Sequence, residues 1–473
     1  MNIRSHQFET PQFEGDSIFA KPAHEWSTAQ ERNRQLIVWC VCMAMVFLGS
    51  VLRVVAVFQY SPTEILITDP GRWWFDATHL FSREPITAID AFGYQLWLGL
   101  VIKLFGTAEQ VIILHNALLS VLTPWIWHRF VKELTQDDEI ALASWALLCW
   151  VPSWITIYSY TMSETLFLPL LGASLWVTFR SRRTGSTGSL MSASACWAAT
   201  AATRVFALPI ALVGMFWALY GASRPWRKLS LASLAFASLT IPLSMRCHSV
   251  LGSWNPFGFP EMNQIYMESG KRTIHVNILR NHGGERWQYE FASPVFYEEP
   301  LSPVSDWKSD RAGVVKFSIN EENGVADWDR ALKNNEPTLA TRFQIWKENY
   351  IFFNFAPSWP DNNPNRFWDR VSIMSRWLWA PLGVVVLAFA VRFYRYTEKN
   401  ARLFVLITCS CWLLTPLLPA VMEGRYRKPV GGMLVVSFVI LWNVWKQNWP
   451  VHIHEFRADA ISTAESANSM ALT

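Results

Sequence analysis

Charge is scarce in this chain. Asp, Glu, Lys and Arg make up 16% of its 473 residues, against roughly 25% in soluble domains. That excludes an ordinary soluble enzyme, and the apolar content described below excludes a disordered protein. The net charge of +4 is small and dispersed, so no nucleic-acid partner is expected. Cysteines are few. Cys40, Cys42, Cys149, Cys196, Cys409 and Cys411 lie inside apolar runs, where they read as small hydrophobes, and Cys247 stands near a polar segment. No disulfide framework follows from them. A phosphate-cradling glycine-rich loop and a Gly-x-Ser-x-Gly elbow are both missing. There is no internal repeat, which weakens an inverted-repeat transporter. His452 and His454, beside Glu455, lack any recognised ligand spacing, so no metal is assigned there.

Apolar residues, by contrast, are 51% of the chain, with 27 Trp and 30 Phe. Runs long enough for a ~30 Å hydrocarbon core recur. They fall at 36–59, 109–128, 140–158, 162–179, 188–203, 205–221, 229–246, 377–393, 402–420 and 430–446. One more apolar stretch, Ala91 to Phe105, carries Lys103 and is shorter than the ~17 residues a span needs. If it lies flat on the outer surface, four basic clusters face the cytoplasm: Arg129/Lys132, Arg180/Arg182/Arg183, Arg224/Arg227/Lys228 and Arg392/Arg395/Lys399/Arg402. If it spans, all four face outward, against the positive-inside rule. The sequence therefore predicts a polytopic α-helical membrane protein of about ten spans with both termini inside.

The expected organisation follows. Residues 1–35 form a cytoplasmic tail, and 36–246 a transmembrane module whose first outward loop, 60–107, holds two juxtamembrane helices, Pro70 to Phe81 and Ala91 to Phe105. Residues 247–375 form a small outward α+β insertion, 376–446 the last transmembrane helices, and 447–473 a disordered polar tail. The first apolar run is too long for a signal-peptide core and reads as an uncleaved span.

Ionisable groups at the outer face carry the chemical signal, because burying them there is costly. Asp69, just before Pro70, fits a helix N-cap or a general base. Asp76 and Asp90 share its loop as rivals, or as merely solvated acids. Glu164, after Ser163, either favours a helix start or contacts substrate. Arg204, in a tight turn between two spans, either snorkels or meets a lipid phosphate. Arg53 has the same ambiguity within the first span. Glu423-Gly-Arg-Tyr-Arg-Lys-Pro429 puts Arg425, Arg427 and Lys428 outside, where the other basic clusters are not. Guanidinium forks suit phosphate, so this loop reads either as a phosphate clamp or as a general headgroup contact. Most tryptophans read as interfacial belt, although Trp73 and Trp74 could stack on sugars.

In order and spacing these pieces resemble the GT-C superfamily of integral-membrane glycosyltransferases. The likeness is to the branch with protein O-mannosyltransferases and the lipid A aminoarabinose transferase. It is carried by Asp69-x-x-x-Trp73-x-x-x-Ala77-x-x-Leu80, by Tyr94 to Gly106, by Ser163-Glu164-Thr-Leu-Phe and by Glu423-Gly-Arg-Tyr-Arg-Lys-Pro. The resemblance implies Asp69 as catalytic base and Glu164 as a positioning acid. It implies Arg425 and Tyr426 near the donor phosphate, with Arg204 a looser match; Arg427 and Lys428 are expected beside them from the outward basic loop, and Asp76, Asp90, Tyr94, Trp73 and Glu423 near substrate. The donor would be a polyprenyl-phosphate sugar and the acceptor an envelope glycan, lipid or protein, at the outer face of a bacterial inner membrane. Many relatives have an acidic pair where this chain has Asp69-Pro70, which favours a mechanism without cofactor or divalent metal. Competing expectations are an O-antigen ligase or polymerase using a lipid diphosphate, a lipid-linked sugar flippase or transporter, and a non-catalytic scaffold.

Overall fold

The structure is a computed structural model. It describes residues 28–66, 68–80, 91–251, 253–258, 274–279, 286–291, 315–320, 339–358, 360–361, 363–417 and 424–470. Asp90 and Glu423, two of the expected substrate contacts, lie outside these residues. The chain divides into two units, Met1–Val41 and Cys42–Thr473, and the helical bundle and the cleft belong to the second.

Helix α1 (Thr28–Gln59) is followed by two short helices, α2 (Thr68–Thr78) and α3 (Gly93–Phe105). Asp69 is the second residue of α2, inside its first turn and two positions after the N-cap. Negative charge there still complements the helix dipole. Helix α4 (Glu109–Thr135) leads into α5 (Asp138–Cys149), whose N-cap Asp137 accepts from the Glu139 and Ile140 amides. The chain then bends by 66° into α6 (Pro152–Thr156) and a 3₁₀ turn, Ile157–Ser159. Pro152 has no N–H to continue α5, so carbonyls at its end need other donors. Arg53 supplies them. Fully buried, it donates to Leu148 O at 2.8 Å, Cys149 O at 2.9 Å, and Ser120 O and Trp154 O at 3.0 Å. It is thus a staple across α1, α4, α5 and α6, with its donors turned to protein carbonyls.

Helices α7 (Glu164–Thr184) and α8 (Thr187–Thr203) form an antiparallel hairpin closed by Gly185 and capped by Ser186. At 1.5 Å per residue α7 is roughly 30 Å long. It therefore separates Glu164 at one end from Arg182 and Arg183 at the other, and α8 returns the chain to Arg204 beside Glu164. Helices α9 (Ala207–Leu219) and α10 (Pro225–Leu251) complete this half.

Three strands follow, β1 (Ile274–Leu279), β2 (Arg286–Phe291) and β3 (Val315–Asn320), in the order β2-β1-β3. β1 runs antiparallel to β2, with Val276 opposite Tyr289, and parallel to β3, with Val276 opposite Phe317. Helix α11 (Leu339–Phe355) ends against the helical bundle, because Phe353 is buried in a cluster with Val386, Val405, Val430 and Leu434. Helix α12 (Phe367–Phe393) begins upstream of the apolar run expected at 377, since polar residues at its start are buried rather than solvated. Helices α13 (Lys399–Leu414) and α14 (Arg427–Met470) end the described chain. α14 continues through the polar segment expected to be a disordered tail; that segment is rich in Ala, the strongest helix former.

The protein is a multi-pass, predominantly helical membrane protein. Among the described residues six helices are long and apolar enough to cross a membrane, and the bent α5–α6 pair makes seven. The other expected spans are present as helices with weaker credentials: α7 is charged at both ends, α8 has 17 residues and α9 has 13. The tryptophans are not all interfacial. Trp127, Trp154 and Trp197 are fully buried, and each indole N–H finds an acceptor: Leu168 O, Lys428 O and Thr178 Oγ1. Trp154 lies so close to α14 that a side chain at Gly432 would overlap its ring.

Candidate functional site

The ends of α2, α7, α8 and α14 meet around a small cleft lined by Glu164, Phe167, Arg204, Phe206, Arg425, Tyr426 and Pro429. Arg204, the residue that ends α8, pairs with Glu164 at 2.6 Å and donates through Nε to Ser163 Oγ at 3.1 Å. Arg425 comes from the 3₁₀ turn Gly424–Tyr426 that precedes α14. Its guanidinium donates to Asp69 Oδ2, while Arg72, one turn further along α2, holds Asp69 Oδ1 at 2.9 Å. The Tyr426 ring lies beside both cleft guanidiniums, 5.7 Å from Arg204 and 5.4 Å from Arg425. Such contacts with a ring face favour the cations modestly.

Three guanidiniums therefore face two carboxylates, leaving an excess of positive charge at a narrow apolar-walled opening. Burial alone would raise the pKa of Asp69. Arg425, then Arg72, and at longer range Arg204 outweigh that and hold its carboxyl well below the usual carboxylate range. Asp69 is thus a firmly ionised, half-buried anion in this state.

The turn carrying Arg425 is held from below. Gly424 packs so closely on the carbonyls of Ala356 and Pro357 that a Cβ would collide with them. Arg427 is buried and donates to Phe353 O at 2.8 Å and Ala356 O at 3.1 Å. Lys428 is also buried, with its ammonium 2.6 Å from Asp361 Oδ1. Of the three basic side chains expected to form the phosphate clamp, only Arg425 lines the cleft. The others face inward because successive residues at a helix start point about 100° apart.

The remaining expected residues fall into two groups. Tyr94 and Trp73 are buried and meet edge to face, with ring centroids 5.7 Å apart. They pack α2 on α3, which removes Trp73 from the surface where a sugar could stack. Burial, opposed by a hydrogen bond with Thr165 and reinforced by the charge of Glu164, pushes the Tyr94 hydroxyl above its ordinary value. Asp76 is also buried, within Coulombic reach of Arg246 on α10, whose guanidinium lies 3.6 Å from the Phe92 ring centroid. It stands apart from the residues lining the cleft.

Sequence reasoning missed Arg72, although its i,i+3 spacing from Asp69 puts both on one face of a helix. It also missed a second buried network beneath the site. Asp361 Oδ2 accepts from Thr156 Oγ1 at 2.7 Å and Ser372 Oγ at 2.9 Å. Asp369 accepts from Tyr160 at 2.5 Å and from the Asn363 amide at 3.2 Å. Arg366 pairs with Glu64 at 2.6 Å and covers the Tyr60 and Tyr160 rings. These bonds fix Asp361, Arg366 and Asp369 against Thr156, Tyr160 and the base of α14. Among the described residues no three His, Cys, Asp or Glu side chains converge as a metal site would require.

Residues 90–246 match the family model of dolichyl-phosphate-mannose-protein mannosyltransferase. The chain resembles the GT-C glycosyltransferases. The matched third includes Tyr94, Glu164 and Arg204 and ends before the strands; Asp69 and Arg425 lie outside it. No curated protein sequence matches the chain. Among solved structures the chain is similar to the Archaeoglobus fulgidus oligosaccharyltransferase, crystallised with a tethered acceptor peptide containing the NVT sequon. Identity is 11% and the TM-score 0.46, over 89% of this chain and 51% of that one. The chain thus spans about half the length of that protein.

Proposed function

We propose that this protein is a membrane glycosyltransferase that moves a sugar from a polyprenyl phosphate to a hydroxyl of an envelope glycan, lipid or protein. The cleft would open to the periplasmic face of a bacterial inner membrane, where a lipid-anchored donor presents its phosphate at the interface. One observation carries this reading: Arg425, a phosphate-type ligand at the cleft, is paired directly with Asp69, the one carboxylate at the start of α2. An anion-recognising group and a proton acceptor thereby share one small space. The matched family's name points to a lipid monophosphate as the form of donor.

The chemistry is a single displacement. Asp69 takes the proton from the acceptor hydroxyl as its oxygen bonds to the anomeric carbon. The bond from that carbon to the phosphate oxygen breaks, and the polyprenyl phosphate leaves with the electron pair. Attack opposite the leaving group inverts the anomeric centre. Arg425 and Arg204 stabilise the charge growing on the phosphate, an electrostatic contribution commonly worth about 3 kcal/mol per well-placed group. Glu164 orients Arg204. Guanidiniums already occupy Glu164, which lines the cleft, and Asp69 behind Arg425, so they supply the positive charge that a divalent cation would otherwise bring.

The test is mass spectrometry of envelope glycans, lipid A and surface proteins from a deletion strain. Loss of one sugar from one class of molecule supports the reading and names the acceptor. The same loss, with the lipid-linked sugar confined to the cytoplasmic leaflet instead of accumulating on the periplasmic one, would make the protein a flippase.

A further inference from the structure

Arg425 has two claims on it. It lines the cleft, yet its guanidinium is engaged by the Asp69 carboxylate. Arg204, the other cleft guanidinium, is likewise engaged, by Glu164. A phosphate entering this cleft must compete with carboxylates for both. The two pairs differ in what they leave behind. Glu164 is almost completely buried, and Ser163 holds both it and Arg204, so this pair is fixed at the N-terminus of α7. Asp69 is more open than Glu164, with 23% of its side chain exposed against 1%, whereas the guanidiniums of Arg425 and Arg204 are alike at 14% and 17%; and Asp69 keeps a second guanidinium, Arg72, if Arg425 departs.

We propose that the donor phosphate takes Arg425 from Asp69, and that this exchange unmasks the base, so donor must bind before acceptor. The proposal rests on the donor class given above. In the resting protein Oδ2 of Asp69 is occupied by Arg425 and cannot accept a proton from an acceptor hydroxyl in the same direction. Once Arg425 turns to the phosphate, Oδ2 is open and its carboxylate loses the neighbour that contributes most to suppressing its basicity. Arg72 then holds Oδ1, so the carboxylate stays oriented on α2 rather than swinging free. Sugar is therefore attacked only when a donor is present, and an acceptor hydroxyl arriving alone meets a masked base.

This ordering makes an unusual demand on binding. Asp69 would oppose donor binding even though it is needed for transfer. Removing its charge should tighten the complex. The probe is polyprenyl phosphate itself, titrated into purified protein in nanodiscs, with wild type, Asp69→Asn, Arg425→Gln and the double variant. Asp69→Asn should bind the lipid phosphate tighter by roughly tenfold, the scale of one charge-assisted hydrogen bond no longer competed for. In the Arg425→Gln background the same change should have little effect, because no guanidinium remains to be released. Gain of equal size in both backgrounds would mean a long-range field effect and overturn the exchange. So would unchanged or weaker binding by Asp69→Asn, while leaving the transferase reading intact. Failure of wild type to bind polyprenyl phosphate at all would overturn the donor class and the exchange together. Thermal unfolding midpoints for the four proteins identify any variant that has lost its fold, and Asp69→Ser then replaces it in the cycle.

Discussion

Replacing Lys428 with methionine should destabilise the protein severely while leaving the cleft's phosphate ligands in place. Lys428 and Asp361 are almost entirely buried, with 1% and 0% of their side chains exposed, and their charged atoms are 2.6 Å apart. Removing the ammonium strands the carboxylate with two hydroxyl donors, Thr156 and Ser372. Breaking one side of a buried pair typically costs about 3–5 kcal/mol, because the remaining charge is left uncompensated. Neutralising that charge as well, with Asp361→Asn, should recover most of the loss, since the amide oxygen still accepts from both hydroxyls. The assay is thermal unfolding in detergent of wild type, Lys428→Met and Lys428→Met/Asp361→Asn, followed by tryptophan fluorescence. Wild type and the double variant should melt close together, with the single variant well below. A Lys428→Met protein that melts like wild type but binds polyprenyl phosphate poorly would refute the reasoning and return Lys428 to the phosphate clamp.

Other expectations concern the cleft and its sidedness. Arg425→Lys keeps the charge but loses the fork, so transfer should stay depressed in kcat, KM or both, close to Arg425→Ala; wild-type rates would reduce Arg425 to an interface anchor. Asp69→Asn should express normally and lose transfer by ~10²-fold or more, the scale of a general base. Asp69's depressed folded pKa contributes stability that is present above its unfolded value and lost as pH falls through the folded one. The stability difference between wild type and Asp69→Asn should therefore be flat above about pH 5 and shrink only in stronger acid. In a background without exposed Cys40, an impermeant thiol reagent applied to cells with a permeabilised outer membrane should label His79→Cys and spare Ser186→Cys. Labelling only of Ser186→Cys would invert the topology.

The helices were largely legible because apolar runs announce them, and Arg204, Glu164, Asp69 and Arg425 could all be named before their proximity was seen. They lie at the ends of runs, where an ionisable residue stands out against an apolar background. The direction of each side chain was not legible. Arg427 and Lys428 look identical to Arg425 in a string of bases, and only the turn before α14 separates the inward pair from the outward one. Asp361 and Asp369 were invisible for the opposite reason: they stand in a polar stretch where acids are unremarkable, and burial alone distinguishes them. Arg53 reads as either snorkelling or meeting a lipid phosphate, because nothing in the sequence says that Pro152 leaves carbonyls waiting for it. Trp73 is ambiguous in the sequence between interfacial belt and sugar platform, and its burial against α3 is neither.

The most direct test of the central claim is transfer by purified protein in nanodiscs, offered the same sugar on polyprenyl phosphate and on polyprenyl diphosphate with a mixture of envelope acceptors. Consumption of the monophosphate donor, release of polyprenyl phosphate and an inverted linkage in the product are expected from wild type, and none of these from Asp69→Asn. Consumption of the diphosphate donor alone, or transfer that persists without Asp69, would contradict that claim.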